Sequence, residues 1–339
     1  MANKPTIESK PYVIGIDLGG TNTAFGIVDA RGNILRTSSI KTGKHLDIRD
    51  YIKDLGVAIR DLVEIDLTMD KIFGIGIGAP NGNYFNGSIE FAPNLPWKDK
   101  IPLAGLLEKE LQIPVVLTND ANAAAIGEMT YGAARGMKDF IEITLGTGVG
   151  SGIVVGGELV YGHDGFAGEV GHTVIRRNGR TCGCGRQGCL ETYTSATGVA
   201  RTAREYLSIR EDDSLLRDLD PAEITSKDVF DAAMKGDKLA IQIFENTGTI
   251  LGEALADAVA YTSPEAIILF GGLTHAGDLL LKPTQRAMEE NLLNIYKGKV
   301  KILFSELKEN DAAILGAAAM GWEATHLHPD SVYMADAEV

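Results

Sequence analysis

Tyr12-Val13-Ile14-Gly15-Ile16-Asp17 is a short apolar run ending on a carboxylate, and Leu18-Gly19-Gly20-Thr21-Asn22 follows it directly. An apolar run of this length closed by paired glycines reads as a buried strand feeding a tight turn. Thr23 to Val28 and Ile34 to Ile40 read as the next two strands, with Ala30-Arg31-Gly32-Asn33 turning between them. Three consecutive strands at this spacing predict an antiparallel meander. Asp47 to Ile65 then shows helical periodicity, with Ile48, Ile52, Leu55, Ile59 and Leu62 on one face.

Further along, Ile72 to Ile77 alternates with glycine and reads as a strand, and residues 80–100 read as loops. Val115 to Leu117 is a short strand. Asn119-Asp120 opens an Ala-rich helix to about Gly132, with Asn or Asp as its N-cap. Phe140 to Leu145 and Gly152 to Val155 are strands joined by Gly146-Thr147-Gly148-Val149-Gly150, and residues 156–190 are irregular. Helices cover about 190–207, 227–235 and 237–262. Ile267 to Phe270 is a buried strand, Val300 to Phe304 a late one, and Asp311 to Thr325 a helix of small residues before a tail of about ten. The meander near residue 12 partly recurs from residue 139. The expected architecture is therefore α/β, in two halves around a cleft. The halves are residues 1–118 and 119–310, with helix 311–325 packing back on the first.

Composition narrows the function. The chain has 339 residues, 45% of them hydrophobic and 23% charged, which is ordinary for a globular protein. Glycine is high, at 40 residues, and clusters between apolar runs without a three-residue period, which excludes collagen. The net charge of −14 disfavours nucleic acid as a partner. No apolar run reaches the ~18 residues needed to span a bilayer, so no membrane partner is expected. Met1 to Lys10 lacks the apolar centre of a signal peptide, and a cytoplasmic location follows. Asn86-Gly87-Ser88 matches a glycosylation sequon, a chance match in a chain that is not secreted.

Three glycine-rich turns carry the first chemistry. Asp17 to Asn22 places a carboxylate, two glycines, Thr21 and Asn22 at a strand end. Glycines let backbone N–H groups reach phosphate oxygens, and Asp17 could hold a hydrated Mg²⁺. A plain hairpin would use the same residues. Thr144-Leu145-Gly146-Thr147-Gly148 repeats the form, and Ile267 to Phe270 ends in Gly271-Gly272 before a helix. No Walker-type glycine–lysine motif is present. A literal G-x-G-x-x-G at Gly183, Gly185 and Gly188 has neither the strand before it nor the helix within it that dinucleotide binding requires.

Cys182, Cys184 and Cys189 are the only cysteines, and His172 precedes them in Glu169-Val170-Gly171-His172. Three thiols and one imidazole meet the tetrahedral requirement of a structural Zn²⁺; a reduced, redox-active loop is the alternative. Such a closed site would pin a loop rather than catalyse. Asp120 stands at a strand-to-helix junction, where α/β proteins put ligands and where a bare N-cap also fits. Glu169 and Glu191 bracket the cysteine cluster.

Together Asp17–Asn22, Asn119-Asp120, Leu145 to His172 and Cys182-x-Cys184-Gly185-x-x-Gly188-Cys189-x-Glu191 resemble the ROK family of repressors and sugar kinases, and most closely its bacterial glucokinases. The resemblance spans about residues 12–322. It implies two ribonuclease-H-like domains of the actin-like ATPase kind, hinged around the nucleotide. It implies ATP-dependent phosphorylation of a hexose 6-hydroxyl, with glucose first and N-acetylmannosamine, N-acetylglucosamine, mannose or fructose as alternatives. It places ATP phosphates at Asp17, Gly19, Gly20, Thr21, Asn22, Thr144, Gly146, Thr147 and Gly148, and adenosine at Gly271 and Gly272. Asp120 would be the general base. Gly78, Asn94, Asn119, Glu169, His172 and Glu191 would bind the sugar, with His172 also a zinc ligand. A homodimer or homotetramer is implied too, and polyphosphate serves some relatives as donor. Family repressors carry a DNA-binding module ahead of the sugar domain. Here about a dozen residues precede the first strand, too few for that module, and the charge of −14 also disfavours DNA, so the repressor is a remote rival; a non-catalytic sugar-binding protein is the other, and the presence of Asp120 and the phosphate turns tells against it. One departure stands out: after Gly78-Ala79-Pro80 many relatives have another glycine, whereas Asn81 follows here.

Overall fold

The structure is a computed structural model that describes residues 9–324. The C-terminal tail, Thr325 and most of the Met1–Lys10 stretch read above lie outside the described residues. The chain divides into two compact units. The first runs to Gly136 and also takes Leu159–Ala167 and the chain from Glu306; the second comprises Met137–Glu158 and Gly168–Ser305.

In the first unit, β1 (Tyr12–Leu18), β2 (Asn22–Asp29) and β3 (Ile34–Lys41) form the antiparallel meander, and α1 (Ile48–Val63) follows. Next come β4 (Ile72–Gly78), a small sheet of β5 (Gly82–Asn83), β6 (Ser88–Glu90) and β7 (Lys100–Ile101), then α2 (Leu103–Leu111), β8 (Val115–Thr118) and α3 (Asp120–Tyr131). The main sheet has the order β3-β2-β1-β4-β8, with β1, β4 and β8 parallel. Its strands β1 and β4 are buried on both faces, as parallel strands under two helix layers must be. One face packs Ile14, Ile16 and Ile75 against Tyr51, Leu55, Leu103 and Leu107 of α1 and α2.

The second unit repeats the pattern. It contains β9 (Phe140–Leu145), β10 (Val149–Val155), β11 (Glu158–Leu159), α4 (Glu191–Thr194), α5 (Ala196–Ile209), α6 (Ser226–Met234), α7 (Lys238–Thr262), β12 (Ala266–Phe270), α8 (Asp278–Asn291) and β13 (Lys301–Phe304). Its sheet order is β11-β10-β9-β12-β13, again a meander followed by two parallel strands.

The last helix, α9 (Glu309–Gly321), belongs to the first unit and lies on the other face of its sheet. It lies close enough to need glycine beneath it. A Cβ on Gly15 would sit 2.0 Å from the Ile314 carbonyl oxygen, and one on Gly76 would sit 1.8 Å from that of Ala317. The glycines alternating along β4 are therefore a helix seat.

Several expectations are corrected. The boundary expected after residue 118 lies after Gly136, because α3 packs on α9 and β4. Residues 80–100, read as loops, hold β5 and β6, whose strands of two and three residues are too short for a periodicity signal. The strand expected from Gly152 starts at Val149. Helix α2 was not expected; the helix read after Gly271-Gly272 is α8, which carries Pro283 inside it, where sequence rules read a break.

Candidate functional site

In the first unit, the ends of three parallel strands come into one row. Asp17 pairs in register with Gly78, and Gly78 with Thr118. Asn119 and Asp120 follow Thr118 directly, at the start of α3. Asn119 is the N-cap: its Oδ1 accepts from the Asn122 N–H at 2.6 Å. That frees Asp120 from capping. Asp120 is exposed as a residue, and the Ala121 N–H donates to its Oδ1 at 2.9 Å.

Protein crowds closely around both carboxyl groups. Desolvation pushes the Asp120 pKa up, and the Ala121 N–H only partly opposes this. Asp17 is pushed up to about 6, first by burial and second by the charge of Asp120. Among the described residues no cationic side chain forms an ion pair with Asp17. A buried carboxylate with a like charge beside it and no counter-ion is the kind of donor a divalent cation would fit.

The first glycine turn closes with the Gly19 N–H donating to the Asn22 carbonyl at 3.0 Å, while Thr21 and Asn22 are exposed. Thr23 beyond it is buried and hydrogen-bonded to Thr42 and the Tyr51 hydroxyl, both at 2.8 Å, which anchors the turn's exit strand. Gly20 lies against the loop of Asn94: a Cβ there would meet the Asn94 carbonyl at 2.4 Å. Asn81, at the departure from the family pattern, has φ +52°, a left-handed conformation that Asn tolerates as a stand-in for glycine. Its Nδ2 donates to the Glu90 carbonyl at 2.9 Å. Next to it, buried Asn83 donates to the Asp164 carbonyl at 2.7 Å, and Tyr84 stacks on Tyr161 with centroids 3.9 Å apart. These contacts hold residues 159–167, just ahead of Glu169.

In the second unit, the Thr144–Gly148 turn mirrors the first. The Gly146 N–H donates to the Gly148 carbonyl at 3.1 Å, and Thr147 is exposed. The Thr144 hydroxyl donates to the carboxylate of buried Glu142 at 3.0 Å, so this hydrogen braces the strand. Gly271 has φ +101°, and a Cβ on it would lie 2.7 Å from the Leu145 carbonyl oxygen, so the third glycine turn abuts the second. A cavity of about 370 Å³ adjoins Gly272, lined also by Lys227, Phe230, Phe244, Leu273 and His275. Sequence reasoning missed these partners because they come from α6, α7 and the turn after β12, far apart in the chain. A larger cavity of about 510 Å³ lies by Arg176, Arg180, Tyr193 and Tyr206, and none of its lining residues belongs to the sets expected from sequence.

The cysteine cluster assembles as expected. One ligand atom each from His172, Cys182, Cys184 and Cys189 lies within 4.8 Å of the others. Cys182 Sγ is 3.6 Å from His172 Nδ1, and Cys184 Sγ is 3.7 Å from Cys189 Sγ. A tetrahedral ion with about 2.3 Å bonds to sulfur spaces its ligands roughly 3.5–3.8 Å apart, so this donor set fits one. The hairpin around it needs glycine: Gly188 has φ +83°, and a Cβ there would lie 1.7 Å from the Arg176 carbonyl oxygen. Arg180 pins the hairpin to α5, with its guanidinium on Glu205, the Thr192 carbonyl and the Thr202 hydroxyl. Gly171 is the small residue in Glu169-Val170-Gly171-His172 because a Cβ would meet the Val149 carbonyl at 2.0 Å. Glu169 is exposed just ahead of the 3₁₀ turn Val170–His172. Glu191 follows the cluster at the start of α4.

Duplicated sheets, each with a glycine turn after the first strand of its meander, are consistent with the actin-like fold class. Within that class the chain belongs to the ROK family, whose model matches residues 13–323. It is 38% identical over 322 residues to a glucokinase of Halalkalibacterium halodurans, covering 93% of this chain and 95% of that one. Among solved structures it is similar to a ROK family glucokinase from Streptomyces griseus in complex with glucose and AMPPNP, at 34% identity and TM-score 0.76, over 91% of this chain and 99% of that one. It is also similar to a ROK family transcriptional regulator, a homologue of the E. coli MLC protein, at 25% identity and TM-score 0.83, covering 93% of this chain and 78% of that one. No helix among the described residues is long and apolar enough to cross a membrane.

The raised Asp17 pKa has a stability consequence. A folded-state value of about 6 against an ordinary 3.8 means that the ionised carboxylate destabilises the fold. The penalty is absent below about pH 4, grows as pH rises, and is complete above about pH 6. It is on the order of 3 kcal/mol. Asp17→Asn is therefore expected to raise Tm by several degrees at pH 7.5, with the gain shrinking towards zero near pH 4. Thermal unfolding across that range checks this, and a pH-independent difference or a loss of stability contradicts it.

Proposed function

We propose that the protein transfers the γ-phosphoryl group of ATP to the 6-hydroxyl of glucose, with Asp120 as general base. That it is a sugar kinase follows from its family and its glucokinase relatives. The observation that carries the finer reading is the placement of Asp120: free of helix capping and raised in pKa, beside Asp17 and the first glycine turn. The glucose and AMPPNP of the Streptomyces griseus structure support the choice of ligands.

Phosphoryl transfer passes through a loose transition state, so positioning and charge neutralisation dominate and the base accepts its proton late. The raised pKa makes the Asp120 carboxylate a better proton acceptor. The glycine turns would hold the phosphates by backbone N–H groups, and Gly271, Gly272 and the adjoining cavity would take the adenosine. Asp17 would hold the hydrated Mg²⁺, which neutralises phosphate charge when bound. Asn119, whose carboxamide oxygen caps α3, would offer its amide nitrogen to the sugar. Asn94, Glu169 and Glu191 would take other hydroxyls. The cysteine–histidine cluster would hold a structural Zn²⁺, with Nδ1 of His172 as ligand and Nε2 left for the sugar.

Two outcomes are expected. Asp120→Asn should bind glucose within about threefold of wild type, while kcat falls about 10²–10⁴-fold. Steady-state kinetics with a direct binding titration checks this, and near wild-type turnover would remove Asp120 from the role. Elemental analysis should find one zinc per chain, and Cys184→Ser should lose both the metal and about tenfold or more in glucose affinity. A metal-free protein with normal glucose affinity would contradict the zinc assignment.

A further inference from the structure

The second glycine turn is held in shape by the segment that follows the cysteine cluster. Glu191 Oε2 accepts the Val149 N–H at 3.1 Å. The same oxygen lies 2.3 Å from where a Cβ on Gly148 would be. The Ala196 N–H donates to the Gly146 carbonyl at 2.9 Å, and the Thr197 hydroxyl to the Thr147 carbonyl at 2.8 Å. Gly146, Thr147 and Val149 are thus each hydrogen-bonded to one short stretch, 191–197. The other Glu191 oxygen, Oε1, lies 3.5 Å from Cys182 Sγ in the metal cluster. One carboxylate therefore touches the turn with one oxygen and the cysteine loop with the other. Its backbone is fixed as well, since the Ser195 hydroxyl donates to the Glu191 carbonyl at 2.7 Å.

We propose that Glu191 is a positioning residue that couples sugar binding to nucleotide binding. The proposal rests on the preceding reading, in which Glu191 meets a sugar hydroxyl and the 144–148 turn meets the phosphates. A sugar held on Glu191 fixes its carboxylate. The fixed carboxylate holds the Val149 N–H and keeps the turn in the shape that phosphates need. Nucleotide on the turn holds the carboxylate for the sugar by the same contact. Linkage requires each ligand to tighten the other by the same factor. Gly148 is part of the device, because any side chain there would displace the carboxylate.

The test is calorimetric titration of the full-length, zinc-replete protein with glucose, with and without saturating Mg–AMPPNP. Wild type is expected to bind glucose about tenfold tighter with nucleotide present, within the usual range of such couplings. Glu191→Gln should bring the ratio to about one while zinc content is kept. Gly148→Ala should do the same with the Glu191 side chain intact, and it decides the matter if Glu191→Gln binds glucose too weakly to titrate. Gly146→Ala is the matched control, because its Cβ meets no atom within 4 Å. Whatever that change does to nucleotide affinity, the wild-type ratio should remain. A ratio of one in wild type, or a wild-type ratio in Gly148→Ala, overturns the proposal. If wild type binds no glucose, the ratio is read with whichever hexose it does bind, and only the glucose assignment fails. Binding of no hexose at all overturns both.

Discussion

Helix α9 lies on β1 and β4 with backbone against backbone, and much of the first unit follows from that contact. The carbonyl oxygens of Ile314, Ala317 and Gly321 occupy the space that side chains on Gly15, Gly76 and Gly74 would need. The same helix meets α3 through Gly316, whose absent Cβ would sit 2.5 Å from the Ala123 carbonyl oxygen. Close packing of this kind tolerates no added methyl group. It fixes the height of α3 above the sheet, and with it the position of Asp120 at the helix start. The carboxylate pair is therefore a consequence of small residues placed well away from it.

Each unit uses glycine a second time, at its turn. Gly20 is pressed against the Asn94 carbonyl and Gly148 against the Glu191 carboxylate. In both places a glycine of the phosphate-type turn touches a residue expected to meet the sugar. The duplication therefore extends from strand order to the way each turn is braced, although one brace is a main-chain oxygen and the other a side chain. Burial also has a cost that the site keeps. The charge of Asp120 adds to the cost of burying an ionised Asp17, a cost that a cation bound there would offset.

Much of this was legible in the sequence. The meander from Tyr12 to Lys41 has strong apolar runs punctuated by Gly-Gly and Arg31-Gly32-Asn33, and each signal agrees with its neighbours. The cysteine–histidine cluster was legible because its three cysteines are close in the chain and one histidine precedes them. What was not legible depends on tertiary contacts. Helix α3 is too small and too uniformly buried for its face to show which unit it joins, so the boundary was drawn a helix early. The extent of helix α8 was hidden by Pro283, which packs tightly on Gly248 of α7. The role of Asn81 appeared only with its backbone angle. The Glu191–Gly148 contact joins residues 43 positions apart, and no local pattern announces it.

The most direct test is ADP release with Mg–ATP against glucose, mannose, fructose, N-acetylglucosamine and N-acetylmannosamine, compared as kcat/KM. The account predicts activity with hexoses and the highest value with glucose. Failure of every sugar to stimulate ADP release would contradict it.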